Sequence, residues 1–259
     1  MTTVYVQKDE YGQYGEWASP NCFLAAYGFD MRGYEVLPFT SKALFAGDVY
    51  MRKDLIVHGG VLQVRKALEL LGVRPPEPMD YPHCLRRGFM DATPVEKTVR
   101  QVMEMVQTKG YRPTFIKPSR QPKLFTGLVV SEFSDILKVI NSVDEATYVY
   151  TLNPVNFLSE YRIFVHKGEM VGMSHYHGDP LVFPDVTTVK KLLNRAKAMT
   201  PVAYALDVGV AYFPDRPESI QHPTLLIEAN DAHSLGAYGL PAWKYVQMVE
   251  DRWNQMTKR

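Results

Sequence analysis

The sequence predicts an α/β (α+β) fold in two parts. Three observations predict it. Short β-branched and aromatic runs alternate with longer amphipathic stretches, which is the mark of mixed layers. Glycines close several of the amphipathic stretches. A run of four prolines in nine residues, Arg74–Pro82, divides the chain and cannot be regular helix. The expected division is residues 1–82, a small α/β domain ending in this linker, and residues 83–259.

The elements follow in order. Thr2–Gln7 reads as a strand because it is rich in β-branched and aromatic residues. Residues 12–20 read as loop. "NCFLAAYGFDMRG" is a helix closed by Gly33, "YEVLPFT" a second strand and "DLIVHGG" a third. "VLQVRKALELLG" carries apolar residues at helical spacing and stops at Gly72. Beyond the linker, Thr93–Gly110 reads as one helix, with Thr93 as N-cap, Pro94 in the first turn and Glu96 completing a capping box. "RPTFIKP" and "KLFTGLVV" are strands, and "SEFSDILKVINSV" is a helix capped by Ser131 or Ser134. "ATYVYTL" is a buried strand. "SEYRIFVHKGEMVGMSHYHG" is a hairpin turning at Lys167-Gly168. A helix, "TTVKKLLNRAKAMT", precedes the last two strands, "YALDVGVAYFP" and "TLLIEAN", and "LPAWKYVQMVEDRWNQM" is a terminal helix.

Composition narrows the function classes. The 259 residues are 46% hydrophobic and 22% charged, with a net charge of +1, so no global field favours nucleic acid or a membrane. No helix-turn-helix, RNP or zinc-finger pattern is present, and nucleic acid is the least supported partner. Cys22 and Cys84 form no CxxC pair and read as free thiols. The N-terminus lacks the basic-then-apolar pattern of a signal peptide, and no apolar run approaches the ~18 residues of a spanning helix. A cytoplasmic protein is expected.

The chemistry gathers at the ends of strands. Glu228 and Asn230 are two apart on one strand and share a face. Asp207, on the preceding strand, can join them. Two carboxylates and an amide oxygen form a hard donor set that suits Mg²⁺. The pattern alone also allows Glu228 to cap a loop and Asn230 to make a turn. Lys117 ends an apolar strand and needs a partner, either a phosphate or a carboxylate. Lys123 opens the next strand in this reading. Arg162 and Glu160 share a face of the hairpin, where an exposed cross-strand ion pair is the plain alternative.

In this order of lysine strand, lysine strand, apolar strand, E-x-R hairpin, D strand and E-x-N strand, the chain resembles the ATP-grasp superfamily. It looks most like a clade of small ATP-grasp domain proteins of bacteria and their phages. The signature is "LDVGV…LLIEANDAHSLGAYGL". The resemblance covers Pro113 to Leu240 well, and residues 1–82 more loosely as a pre-ATP-grasp α/β domain. It implies ATP and Mg²⁺ as cofactors. Lys117 and Lys123 match the lysines that reach the nucleotide phosphates. Tyr148, Val149, Tyr150, Thr151, Leu152 and Asn153 match the hinge that reads adenine. Arg162 matches the basic residue facing the transferred phosphoryl group and, with Lys123, is the expected catalytic pair. Asp207, Glu228 and Asn230 match the metal ligands. The expected partners are small-molecule or peptide carboxylate and amine substrates, and a homodimer is left open. Two departures stand out. The hinge offers no acid before Glu160 to hold a ribose, and a long polar insertion separates Asp207 from Glu228.

Other residues carry weaker signals. His175 and His177 alternate on a strand and are expected to share a face, as acceptor contacts, a zinc site with Asp179, or packing. A transition-metal site needs three or four ligands. Ser234 and Gly236 are expected on the acceptor side. His58-Gly59-Gly60 opens a helix, where either an anion or a tight turn fits. Arg86, Arg87 and Arg120 read as contacts to an acidic substrate or as solvated charges. His233-Ser234 lacks the GxSxG context of a hydrolase. The leading reading is an ATP-dependent carboxylate–amine ligase working through an acyl-phosphate. The alternatives are a kinase-like phosphotransferase and a nucleotide-binding interaction protein without turnover.

Overall fold

A computed structural model describes residues 2–10, 16–121 and 123–257. The N-terminal layer is built from β1 (Thr3–Gln7), α1 (Pro20–Asp30), β2 (Glu35–Phe39), α2 (Ser41–Ala46), β3 (Ile56–His58) and α3 (Val61–Leu70). Its parallel sheet runs β2-β1-β3. The short α4 (His83–Arg86) follows the linker. Then come β4 (Val95–Thr98), α5 (Val99–Val106), β5 (Thr114–Pro118), β6 (Leu128–Val130), α6 (Phe133–Ile140) and β7 (Tyr148–Leu152). These form a second, antiparallel sheet in the order β4-β7-β5-β6. The third sheet, β11-β10-β8-β9, is made of β8 (Phe157–His166), β9 (Glu169–Gly178), β10 (Ala203–Ala211) and β11 (Thr224–Asp231). It carries α7 (Val186–Ala196), and α8 (Ala242–Thr257) closes the chain.

Strand alternation decides which side chains reach the space between the sheets. In the second sheet, Ile116, Val130 and Val149 pack on α5 and α6. Lys117 and Tyr150, which are paired across β5 and β7, therefore point the other way. In the third sheet, Tyr204, Leu206 and Val208 pack with Leu192 of α7. Ala203 and Ala205 pack with α8 and the N-terminal layer, and Asp207 follows them on that side. One apolar cluster joins Val4, Phe29, Phe164, Ala205, Tyr245 and Trp253, so the N-terminal sheet and α8 share a core. Close approach of α1 to α8 depends on Gly28, where a Cβ would stand 2.7 Å from Val246 Cγ1 and 2.9 Å from the Ala242 carbonyl oxygen.

Several expectations need correction. The helix expected from Thr93 begins at Val99, because Val95–Thr98 pairs with β7 as an edge strand. Thr98 and Gln101 form the capping box in place of Thr93 and Glu96. Glu132 caps α6, and Asp135 returns the bond, so neither Ser131 nor Ser134 is the cap. Only Leu128–Val130 of "KLFTGLVV" is strand, and Lys123 lies in a left-handed turn at φ 64 before it. The α2 helix carried no expectation; Thr40 caps it and Gly47 ends it at φ 83. β7 alternates between buried and exposed positions, so it is buried on one face only. Of the expected 12–20 loop, residues 12–15 lie outside the described residues. Among the described residues no helix is long and apolar enough to cross a membrane.

Candidate active site

The register of the third sheet sets one charged row. Arg162 on β8 lies opposite Asp207 on β10, and Asp207 lies opposite Glu228 on β11. Arg162 Nε and Nη2 donate to the two Asp207 oxygens at 2.7 and 2.6 Å. Arg162 is thus buried against Asp207 rather than paired with Glu160 at the surface. Asn230 Nδ2 donates to Asp207 Oδ2 at 3.1 Å and to Glu228 Oε1 at 3.0 Å. The common face expected for Glu228 and Asn230 is present, and it includes Asp207.

The second sheet supplies the opposing cation. Lys117 Nζ donates to Glu228 Oε2 at 2.6 Å and also to the Asp80 carboxylate. Asp80 belongs to the proline-rich linker. Its backbone bridges to Ala229 beside Glu228, so this stretch is a wall of the site as well as a connection. Prolines prevent helix there, and Asp80 itself adopts φ 21. A cavity of about 350 Å³ opens at this point, lined by Asp80, Lys117, Lys123, Glu228, Asn230 and Ser234 among others.

Burial and charge push the two carboxylates in opposite directions. Burial raises the Asp207 carboxyl against the pull of Arg162. Burial would raise Glu228 too, but the Lys117 charge and hydrogen bond and the Asn230 amide together carry it below the usual range. Burial also raises Asp80, with Lys117 opposing. These carboxylates meet protein cations and an amide donor, which is what a buried anionic cluster needs.

Among the described residues there is no cluster of three or more His, Cys, Asp or Glu that could hold a metal. The set here is two carboxylates and one amide. A single amide nitrogen touches both carboxylates, so the three groups converge; the carboxylates carry hard oxygen donors, and Asn230 would add one through Oδ1, the arm of its amide opposite the nitrogen that touches them. That chemistry fits Mg²⁺, which takes few protein ligands and completes its shell with phosphate oxygens and water.

The remaining expected residues fall into groups. Residues 153–156 connect the second sheet to the third, so Tyr148–Leu152 and Asn153 stand at the junction between them. None of these six lines the cavity. Thr151 donates its hydroxyl to the Val95 carbonyl at 2.9 Å, and Val149 is buried under the helices. Tyr150 stacks edge-on against Tyr81 of the linker at 5.2 Å. Ser234 lines the cavity and donates to the Gly59 carbonyl at 3.2 Å. The Gly236 carbonyl accepts from Arg162 Nη1 at 3.3 Å.

His175 and His177 do not share a face. The pairing shifts between Glu160 and Tyr161, leaving Tyr176 as an extra residue, and such a bulge reverses alternation. His175 packs edge-on against Tyr161 at 5.1 Å, while His177 stands 3.4 Å from Glu160. Arg120 pairs with Glu96 and covers the Tyr148 ring, and Arg86 donates to the Tyr81 carbonyl at 2.9 Å.

Sequence reasoning missed Asp80, Tyr238 and the Asp231–Arg252 pair. Tyr238 lies under the Arg162 guanidinium at 4.5 Å with φ 42, and its only signal was the flanking glycines. Arg252 Nε and Nη2 clamp Asp231 at 2.8 and 2.7 Å, anchoring the end of β11 to α8. His233 Nδ1 lies 3.0 Å from the same carboxylate.

Comparison with known proteins places this architecture. The RimK domain ATP-grasp protein of Sphaerobacter thermophilus has a TM-score of 0.55 and 13% identity, over 95% of this chain and 99% of that one. D-alanine–D-alanine ligase of Bacillus anthracis, complexed with ATP, has a TM-score of 0.52 and 16% identity, over 100% of this chain and 99% of that one. The ATP-grasp ligase PsnB, complexed with a minimal precursor, has a TM-score of 0.51 and 10% identity, over 97% of this chain and 99% of that one. At such identities the likeness is one of fold. No curated protein matches the chain. The family model of an ATP-grasp domain, family 2 of its clade, matches residues 89–248, more than half of the sequence, and the chain belongs to that ATP-grasp family.

Proposed function

We propose that the protein is an ATP-dependent carboxylate–amine ligase that forms an amide through an acyl-phosphate. The observation that carries this reading is the convergence of Lys117, Arg162, Asp207, Glu228 and Asn230 between two sheets. Ligase neighbours and family membership support it.

Phosphoryl transfer to a carboxylate is chiefly positioning and charge neutralisation. Asp207, Glu228 and Asn230 would hold Mg²⁺, which when bound neutralises charge on the nucleotide phosphates. Lys117 is held in line by Asp80 and Glu228, so its charge is placed before any ligand arrives. Lys123 lines the same cavity and would meet the same phosphates. Arg162 is fixed by Asp207 at one edge and by the Tyr238 ring below, and it stabilises charge on the transferred group. The Asp80–Tyr81 wall and the second sheet keep water from the activated acyl group. An amine then attacks the acyl carbon and phosphate leaves.

The test is a hydroxylamine trap with Mg²⁺, ATP and pooled amino acids, dipeptides and small carboxylates. Acid-dependent ADP release with hydroxamate formation is expected. Glu228→Gln should lose both. ADP release that stops at a stable phosphorylated product, with no hydroxamate, favours the kinase-like alternative.

A further inference from the structure

One face of α1 stands uncovered. Cys22, Ala25, Ala26 and Phe29 are buried in the core that α1 shares with α8. Phe23, Tyr27 and Met31 recur one turn apart and are 59%, 51% and 68% exposed. A surface helix normally carries polar residues on such a face. Tyr238, in the loop after β11, and Trp243, at the start of α8, are 48% and 55% exposed. Exposed apolar area gathered in this way marks a binding surface.

Between α1 and that loop lies a groove of about 620 Å³. Phe23 and Leu24 line it from α1, and Tyr238, Leu240 and Pro241 line it from the loop. Among the described residues, none that lines it carries a formal charge. The cavity at Lys117, by contrast, is lined by Asp80, Lys123 and Glu228.

The groove is joined to that cavity. A middle cavity of about 310 Å³ shares Val61, Lys123 and Ser234 with the cavity at Lys117, and shares Asn21 with the groove. Gly236 lines the middle cavity, and the next residue, Ala237, lines the groove. The loop is fixed in place. Asn21 Oδ1 accepts from the Ala237 N–H at 2.9 Å. Tyr238 holds φ 42 and Gly239 φ 88, and a residue other than glycine keeps such an angle only where its surroundings hold it. The Arg162 guanidinium at 4.5 Å and the Tyr176 ring at 5.2 Å hold the Tyr238 ring. One side chain thus borders the groove and touches the cation of the site.

We propose that the substrate is a peptide, and that this groove seats an uncharged aromatic or branched apolar side chain set back from its reacting end. This deepens the ligase reading and rests on it for the word substrate; the docking site itself stands on the groove. The geometry selects this occupant in three ways. Cavities joined in line from Glu228 to Phe23 suit an extended chain, which advances about 3.3 Å per residue, whereas a free amino acid fills only one of them. The uncharged lining disfavours an acidic or basic side chain, which would lose hydration without gaining a partner. A second copy of the chain would cover the α1 stripe but has no use for the passage to Glu228.

The test is calorimetric titration of the whole chain with pentaglycine and with pentaglycine bearing one Phe or one Glu at its second, third or fourth position. Each titration is run with and without Mg²⁺ and a non-hydrolysable ATP analogue. Saturable binding is expected with at least one Phe peptide, about tenfold or more tighter than pentaglycine and than the matching Glu peptide, as burial of one such side chain provides. Phe23→Asp puts a charge on the groove wall at an exposed helix position. It should melt within about 2 °C of wild type and lose the preference for Phe. Phe23→Leu should keep most of that preference. Met31→Asp, two turns along α1 and outside the groove, should keep all of it. Equal affinity for the three kinds of peptide, no binding in either condition, or a preference that survives Phe23→Asp overturns the proposal. A concentration-dependent dimer in sedimentation that Phe23→Asp abolishes, with no peptide bound, also overturns it and gives the face to a second copy. Nucleotide binding is read separately, by melting with Mg²⁺ and ATP, so a failed groove and a failed nucleotide site are told apart.

Discussion

Replacing Lys117 by Met is the most informative single perturbation of the site. It removes the cation between Asp80 and Glu228 and keeps most of the side-chain volume. Lys117 is 15% exposed, and its partners are 17% and 27% exposed. Breaking a buried pair by removing one partner costs about 3–5 kcal/mol. Residual solvent at both carboxylates puts this case near the lower end, about 3 kcal/mol. For a chain of this size each kcal/mol moves the melting temperature by about 2–4 °C, so a fall of about 6–12 °C is expected by calorimetry at pH 7. Adding Asp80→Asn should recover roughly half, since Asn tolerates the positive φ and one negative charge is gone. Mg²⁺ should raise the melting temperature of Lys117→Met more than that of wild type, because the carboxylates then lack a protein cation. A variant melting within about 2 °C of wild type, with no response to Asp80→Asn, would refute the electrostatic account of this site.

Three further outcomes are expected. His58 has a folded-state value of about 4 against 6.5 in the unfolded chain, so the unfolded state binds more protons between those limits. Stability should then fall as pH drops from about 6.5 to about 4, by roughly 3 kcal/mol in total, and urea titrations of His58→Gln should lack that slope. Gly28→Ala should destabilise the α1–α8 contact by about 1–2 kcal/mol, overpacking outweighing the gain in helix propensity; a more stable variant in chemical denaturation would contradict the packing argument. Thr98→Ala should cost about 1 kcal/mol and Thr93→Ala almost none, because the cap of α5 lies at Thr98.

Much of this arrangement was legible in the sequence because period-two alternation and strand-end chemistry are local. "LLIEAN" puts Glu228 and Asn230 on one face whatever surrounds it, and "TFIKP" forces Lys117 away from the helices once Ile116 is buried. The missed features are non-local. Val95–Thr98 reads as helix from the caps at Thr93 and Glu96, but the free edge of β7 gives it a partner that no local signal announces. The β8–β9 bulge turns His175 away from His177, and one extra residue is invisible in an alternating sequence. Asp80 sits in a proline-rich stretch that reads as linker, and its role exists only because β11 and β5 approach it. Lys123 reads as strand from its apolar neighbours, whereas its backbone is left-handed and presents it to the cavity between the sheets.

Asp207, Glu228 and Asn230, with Lys117, are proposed to form a Mg²⁺-dependent nucleotide site. Its most direct measurement is the thermal shift of wild type and Glu228→Gln with ATP, in Mg²⁺ and in excess chelator. A ligand at about a hundred times its Kd stabilises the folded state by about 2.7 kcal/mol. A Mg²⁺-dependent shift in wild type that is lost in Glu228→Gln is the result expected. Equal shifts in both proteins, or a shift indifferent to Mg²⁺, would contradict the assignment.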